Sequence, residues 1–504
     1  MKFFYYDLIF LVLFCIIVAI FLIKHKKNVI VEGKIFVLYK TKFGIKLIDR
    51  IGGNKSARSK KFFNIFSGIV IFCGYCLMFG MIYLFYQLIK MLILLPALVK
   101  VIKIPPIMPL VPYLPQMYKI DYLPPLYFTY WIIIIAIIAI FHEFFHGIFA
   151  KNAGVRVKST GFGFLGPFLA AFVEPDEKQL LKKPVKKQLS VMAAGSFANL
   201  VLFIIFGLIF QLYFFSFFTP AGVNYNTYSI DRVNLSSITS IGGFSLSQLE
   251  KVSLSNFSLF LNSIENKTTG DLNVPIDGAN LSMVKIITEN NTYYYNLLLL
   301  KSDIKLIKAR KLNNTFVFYD DSPALRNNFS VSGAIKKINN IPVKNVSDFR
   351  REVRKYSTGE KVLFETTSGN YSLILEKSPR NSSEVFIGID YATVQRRGLM
   401  SLIDKTIMKL KNPVIYYQAR EANDFLKGLN FFIYNLLLWL VLINFSVALV
   451  NMLPLGMFDG GRFFYLTVFS LTKSKKTASR VFRYVTWFIL LVFILLTVFW
   501  FLNM

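Results

Sequence analysis

Six stretches of this chain are apolar for long enough to cross a lipid bilayer, and they restrict its fold before any other feature is weighed. A spanning helix needs roughly 20 predominantly apolar residues, and such runs occupy 5–23, 66–89, 128–150, 189–218, 431–450 and 485–502. With 54% hydrophobic residues among 504, the chain carries more apolar surface than a soluble core of ordinary size can hide. The fold class expected is therefore a polytopic α-helical membrane protein with about six transmembrane helices.

Charge sets the direction of the crossings. Lys and Arg number 58 against 28 acidic residues, and they gather at 24–27, 55–61, 178–187 and 473–483, beside the apolar runs. Basic groups that flank spans in this way are drawn to the cytosolic side, so the N-terminus, the segment after the fourth span and the C-terminus fall outside. The same placement argues against nucleic acid as a partner, since no single basic domain is formed. The first run reads as a retained signal-anchor, because only Lys2 precedes it and a basic stretch follows. Seven prolines between Pro105 and Pro125 exclude a regular spanning helix from the outer stretch 91–126, which reads as a re-entrant or surface-lying loop.

From about 220 to 395 the composition turns to Asn, Ser, Thr and short alternating apolar stretches, which marks an inserted extracytoplasmic domain of mostly β character. Glycosylation sequons recur there, at Asn234, Asn256, Asn266, Asn280, Asn290, Asn313, Asn328, Asn345, Asn370 and Asn381, in agreement with the outward topology. The three cysteines, Cys15, Cys73 and Cys76, all lie in apolar runs, so the insertion must be held by its own core. The C-x-x-C spacing of Cys73 and Cys76 reads as small packing residues on a spanning helix.

The chemistry is carried by His142, Glu143 and His146, an H-E-x-x-H string at the end of the third run. Four residues are about one helical turn, so both imidazoles share a face and can bind one zinc ion, with the Glu between them beside the water that the metal activates. The chain has only three histidines, and two of them stand here, at a depth where ionisable groups are costly unless they have work to do. His25, in a basic flank, reads as a solvated surface residue. A catalytic zinc usually takes three protein ligands and leaves one position open. The third ligand expected is Asp459, just after the fifth run, where Pro454, Gly456, Gly460 and Gly461 must break the helix. A broken backbone at membrane depth is tolerated only in a protein-lined or wet setting, which suits a functional carboxylate.

H-E-x-x-H on one span, followed far downstream by N-x-x-P-x-x-x-x-D-G from Asn451 to Gly460, resembles the site-2 protease family of intramembrane metalloproteases. The resemblance implies one catalytic Zn2+ held by His142, His146 and Asp459, Glu143 as general base, and a three-helix core with its active centre toward the cytosol. A family glycine and asparagine on the middle core helix correspond to Gly195 and Asn199, with Ser196 where proline is usual. Asn199 is expected to hold a substrate carbonyl or an oxyanion. Asn444 and Asn451 are expected to support the substrate backbone or the Asp459 loop, with simple helix–helix hydrogen bonding an equal account of Asn444. The glycine-rich stretch 161–174 resembles the family's membrane-dipping β-loop, where an unwound substrate pairs by strand addition.

Within the insertion, 321–378 resembles a PDZ domain of the protease-associated type, while 221–320 offers no readable motif. The division expected is thus 1–126 for the N-terminal transmembrane helices, 127–219 for the first part of the catalytic core, 220–395 for the insertion, and 396–504 for the second part of the core and the last helix. The function implied is an intramembrane zinc metalloendopeptidase acting on membrane-anchored protein substrates in the lipid bilayer of an archaeal plasma membrane. The alternatives are a catalytically silent chaperone or scaffold with the same fold, a membrane zincin using Glu174 or Glu177 as third ligand, and a transporter. Intact His142, Glu143, His146 and Asp459 argue against the first, and the helix break at Asp459 against the second. The lack of an inverted repeat argues against the third.

Overall fold

The computed structural model describes residues 2–26, 29–32, 36–53, 56–94, 109–118, 120, 123–165, 168–245, 272–276, 279–296, 315–380, 384–391, 412–420 and 423–503. The chain divides into two compact units, one of Met1–Phe214 with Gly428–Met504 and the other of Phe215–Lys427.

Among the described residues, six helices of the chain are long and apolar enough to cross a membrane. They are α1 (Lys2–Lys24), α3 (Ala57–Leu94), α4 (Phe128–Asn152), α5 (Val185–Phe217), α7 (Asp424–Val450) and α9 (Lys475–Asn503). The shorter helices of the same unit include α2 (Ile45–Gly52) and α8 (Asp459–Thr472). Much of the surface of the spans is large and apolar, as on α9, where Trp487, Phe488, Ile494 and Phe501 are exposed. Such faces suit lipid as solvent, since a helix apolar all round must be covered by protein or bilayer.

What holds these helices together is close approach over small residues, as expected where no hydrophobic drive operates between apolar faces in lipid. Ala193, Ala194, Gly195 and Ala198 of α5 are all buried in the unit. A Cβ built at Gly74 of α3 would meet the Ala193 Cβ at 3.0 Å. One core gathers Val70, Ile148, Phe149, Val191, Ala448, Met452 and Phe463, from α3, α4, α5, α7, the turn after α7, and α8. Helices α1 and α4 begin at the same end. Asp7, 1% exposed on α1, accepts hydrogen bonds from the backbone N–H groups of Phe128 and Thr129, both at 2.8 Å, and from the hydroxyls of Thr129 and Tyr113. The N-cap residue of α4, Tyr127, has no side-chain oxygen placed to cap that end, so α1 supplies one.

Along α4 lies a four-stranded antiparallel sheet in the order β1 (Val29–Glu32), β2 (Phe36–Thr41), β3 (Val157–Leu165) and β4 (Phe168–Pro175). The stretch expected to form a β-loop is thus the β3–β4 hairpin, with Gly166 and Pro167 outside the described residues. Glycine is required at Gly161, where a Cβ would come within 2.1 Å of the Tyr39 carbonyl oxygen. Lys40 of β2 pairs with Glu174 of β4 at 2.8 Å, and the Ser159 hydroxyl donates to the same carboxylate at 2.6 Å. These contacts hold the Glu174 carboxyl below the usual carboxylate range, with the Lys40 hydrogen bond the main cause. Helix α2 closes on the end of α4 through Asp49, which pairs with Lys151 at 2.7 Å. His25 is half-buried, its ring packed on Phe21 and Tyr39 and its Nδ1 2.9 Å from the Phe21 carbonyl. The solvated placement expected for it gives way because Tyr39 of β2 returns alongside the end of α1.

The second unit is built of β-sheet. A seven-stranded sheet runs β6 (Ile230–Asn234), β12 (Thr315–Asp320), β11 (Thr292–Asn296), β10 (Ala279–Thr288), β7 (Ile238–Ile241) and β8 (Phe244–Ser245), with β9 (Leu272–Ile276) also paired to β10. A six-stranded sheet runs β16 (Asn370–Ile374), β15 (Lys361–Thr366), β13 (Gly333–Ile338), β5 (Phe218–Tyr225) and β17 (Ile415–Ala419), with β14 (Ile341–Pro342) on β13. Helix α6 (Val346–Val353) begins at Asn345, whose side chain accepts from Asp348 N. Two of the sheet's strands, β5 and β17, therefore come from outside the 321–378 stretch singled out in the sequence. The stretch 221–320, without a readable motif, supplies all seven strands of the other sheet. The expected sequons at Asn256, Asn266, Asn313 and Asn381 lie outside the described residues.

Candidate metal centre

Helical spacing does for His142 and His146 what the sequence requires. One turn apart on α4, both are buried, and their Nε2 atoms lie 3.1 Å apart. Asp459, the first residue of α8, brings Oδ2 to 3.2 Å from His142 Nε2 and 3.0 Å from His146 Nε2. These three residues form a group able to hold a metal ion.

The donor set fits zinc. Nδ1 of His146 is 2.7 Å from the Val191 carbonyl oxygen, which only accepts, so Nδ1 carries a proton and the neutral ring presents a lone pair at Nε2. That lone pair faces a carboxylate oxygen at 3.0 Å, an arrangement that a metal ion or a proton between them relieves. Zinc–nitrogen bonds of about 2.0–2.1 Å at tetrahedral angles separate ligand atoms by roughly 3.3 Å. The observed 3.0–3.2 Å edges are close to that value.

Two further features of the backbone make the convergence possible. Helix α5 passes so near that a Cβ at Gly195 would come within 2.4 Å of both Nε2 atoms, so only glycine leaves the metal position open. Between α7 and α8 the chain folds back, with Gly460 N donating to the Asn451 carbonyl at 2.7 Å. Cβ atoms at Gly460 and Gly461 would come within 2.2 Å of Met452 and Leu455 backbone atoms, respectively, which explains the paired glycines after Asp459.

A cleft of about 340 Å³ is lined by His142 and Asp459, by Glu143 and Asn451, and by Leu169, Ala170 and Ala171 of β4. Strand β4 is the last in its sheet, and it packs along α4. Glu143 Oε2 accepts from Val173 N of this strand at 2.9 Å. The structure thus brings His142, Glu143, Asp459 and Asn451 around one cleft, with His146 behind them in contact with His142 and Asp459. It places Asn199, wholly buried, against His142, with Nδ2 3.1 Å from Nδ1. Asn444 is also wholly buried, and its Nδ2 donates at 2.7 Å to the Leu440 carbonyl one turn back on α7. Val191, Val173 and Asp7 had not been singled out in the sequence. The first two contribute backbone groups, which leave no trace in residue identity. Asp7 did leave one, as an acidic residue inside an apolar run.

Spanning helices that carry a buried His–His–Asp group beside a carboxylate-lined cleft define a membrane protein with the ligand set of a metalloenzyme. Residues 130–497, well over half of the chain, match the model of peptidase family M50, and the chain belongs to that family of zinc-dependent membrane metalloproteases. It is also 28% identical over 197 residues to the uncharacterized protein MJ0971 of Methanocaldococcus jannaschii, an alignment covering 37% of this chain and 46% of that one. The chain thus spans just under half the length of this curated archaeal relative.

Proposed function

We propose that this chain is an active intramembrane zinc metalloendopeptidase, which hydrolyses peptide bonds of membrane-anchored proteins as a step of regulated intramembrane proteolysis. The observation that carries the reading is the meeting of His142, His146 and Asp459 in one group, two of which line a cleft with Glu143 beside the edge strand β4. In this reading His142, His146 and Asp459 hold one zinc ion, which supplies Lewis acidity to polarise a carbonyl and acidify water. Glu143 takes the proton of the attacking water and returns it to the departing amine. Its Oε2 is already anchored by Val173 N–H, which leaves Oε1 for the proton. A helical substrate hides its carbonyls in its own hydrogen bonds, so the segment to be cut must unwind and find other partners. The edge of β4 offers them by strand addition along the cleft wall.

The basic flanks and sequons support a topology with the metal centre toward the cytosol and the insertion outside. The archaeal relative is in keeping with an archaeal plasma membrane. The PDZ-like reading of the insertion is supported by a groove of about 800 Å³ between α6 and residues 384–389, lined by Phe349, Val353 and Phe386 with Arg350 and Arg354 among its walls. A groove of this form suits an extended peptide and would let the insertion inspect a substrate's outer part. The rival scaffold reading gives no reason for the ligand geometry. The test is cleavage of a single-span protein in liposomes, before and after a zinc chelator and after zinc is restored. Loss and recovery of cleavage support the protease, and chelator-insensitive cleavage or none at all in the native protein removes it.

A further inference from the structure

Neutral imidazole carries one proton on two nitrogens, so a histidine that offers Nε2 to a metal must donate its Nδ1–H elsewhere. His146 satisfies that rule with the Val191 carbonyl of α5, at 2.7 Å. His142 turns its Nδ1 to the same helix two turns further on, where Asn199 stands 3.1 Å away. Positions 191, 195 and 199 fall at i, i+4 and i+8, one stripe along α5. Val191 meets one imidazole, Gly195 clears the space around both Nε2 atoms, and Asn199 meets the other imidazole.

The amide of Asn199 can serve His142 in two ways. With Nδ2 toward the ring, Nδ1 is an acceptor and the proton sits on Nε2, where it faces the Asp459 carboxylate at 3.2 Å. That tautomer cannot ligate through Nε2. A half-turn of the amide presents Oδ1 instead, draws the proton to Nδ1 and frees the Nε2 lone pair. Oδ1 is buried and has no hydrogen-bond partner where it stands, so the half-turn also gives it one.

We propose that Asn199 is a positioning residue for the metal centre, whose Oδ1 accepts the Nδ1 proton of His142 and so fixes the tautomer that binds zinc. The proposal rests on the zinc reading of the site and replaces an oxyanion role for this side chain, because its buried amide is committed to the imidazole. Asparagine suits the position because its amide carries a donor and an acceptor that exchange places on a half-turn. Rotation about one bond thus lets the amide meet either tautomer of His142.

Zinc affinity of the full-length protein in detergent tests this, measured by competition with a chromophoric chelator, for the native chain, Asn199→Asp and Asn199→Leu. A carboxylate keeps the acceptor and leucine removes it at similar size. The proposal expects Asn199→Asp to bind zinc within a few-fold of native, and Asn199→Leu to bind roughly 10–100-fold more weakly, the usual cost of losing such a partner. Cobalt(II) substitution gives a second readout, since a mis-set imidazole alters the visible ligand-field bands in the leucine protein and leaves them native-like in the aspartate protein. Native zinc affinity in Asn199→Leu, with only turnover reduced, overturns the proposal and restores the oxyanion role. If the leucine protein does not fold, Asn199→Asp decides alone, and loss of affinity there overturns the proposal. Absence of zinc binding in the native chain removes the zinc reading itself, an outcome distinct from either variant's failure.

Discussion

Replacing Asp7 with alanine removes four hydrogen bonds from one buried carboxylate, two of them to the first amides of α4. A lost helix cap costs roughly 0.5–2 kcal/mol, and a buried donor left without a partner costs about 1–3 kcal/mol. Favourable interaction of the carboxylate with the positive end of α4 is lost as well, at about 0.3–1 kcal/mol in ordinary settings. Taken together, about 3 kcal/mol is expected, with some of it recovered where water reaches the freed amides. At about 1.4 kcal/mol per tenfold, that is on the order of a hundredfold faster hydrogen exchange at Phe128 and Thr129, if exchange there follows local opening. Asp7→Asn should fall between, since its amide keeps one acceptor oxygen but turns a donor toward N–H groups. The assay is exchange with mass-spectrometric detection in detergent micelles, reading a peptide from the start of α4 against one around His146. The centre lies about 20 Å along the helix from Thr129, so zinc content should be unchanged. Native exchange at 128–129 in Asp7→Ala would refute the idea that α1 caps α4.

Three other outcomes follow from the geometry. Gly195→Ala should abolish zinc binding while the helices remain folded, because its Cβ would stand 2.4 Å from both Nε2 atoms; metal analysis after size exclusion checks it, and native zinc content would contradict it. Val173→Pro removes the amide that anchors Glu143 and should lower kcat at least tenfold with KM little changed. Ala171→Pro, at a strand position lining the cleft, should act mainly on KM, and equal effects of the two on kcat would contradict the assignment. Glu174 has its folded-state pKa lowered by Lys40 and Ser159, so its contribution is present above the unfolded value near 4.5 and is lost as pH falls through the lower folded value. The stability difference between native and Glu174→Gln should accordingly be small at pH 7, under about 1 kcal/mol, and vanish in acid; a difference that grows as pH falls would contradict it.

The long apolar helices and the pairing of His142 with His146 were legible in the sequence because both rest on strong local signals. Apolar runs have few alternatives to spanning, and H-E-x-x-H sets two imidazoles one turn apart whatever lies around them. Asp459 was legible through Pro454, Gly456, Gly460 and Gly461, since such a break at membrane depth requires a reason. What escaped was contact between distant elements. That β1 and β2 join the β3–β4 hairpin depends on pairing across more than a hundred residues, which no periodicity encodes. Val191 and Val173 act through backbone atoms, so any side chain there would have read alike. Asn199 was assigned toward the substrate because its residue type suits an oxyanion equally well, and only its 3.1 Å approach to His142 Nδ1 points to the ligand. The insertion was read as β-rich from its alternating stretches, but strands β5 and β17 complete one of its sheets from sequence neighbourhoods that carry no PDZ-like signal.

The most direct test of the central claim is zinc content measured together with cleavage of a single-span substrate in the native chain, Glu143→Gln and Asp459→Ala. The account predicts about one zinc in the native protein. Glu143→Gln should keep the metal and stop cutting, and Asp459→Ala should lose both. Full metal and activity in Asp459→Ala, or undiminished cutting by Glu143→Gln, would contradict it.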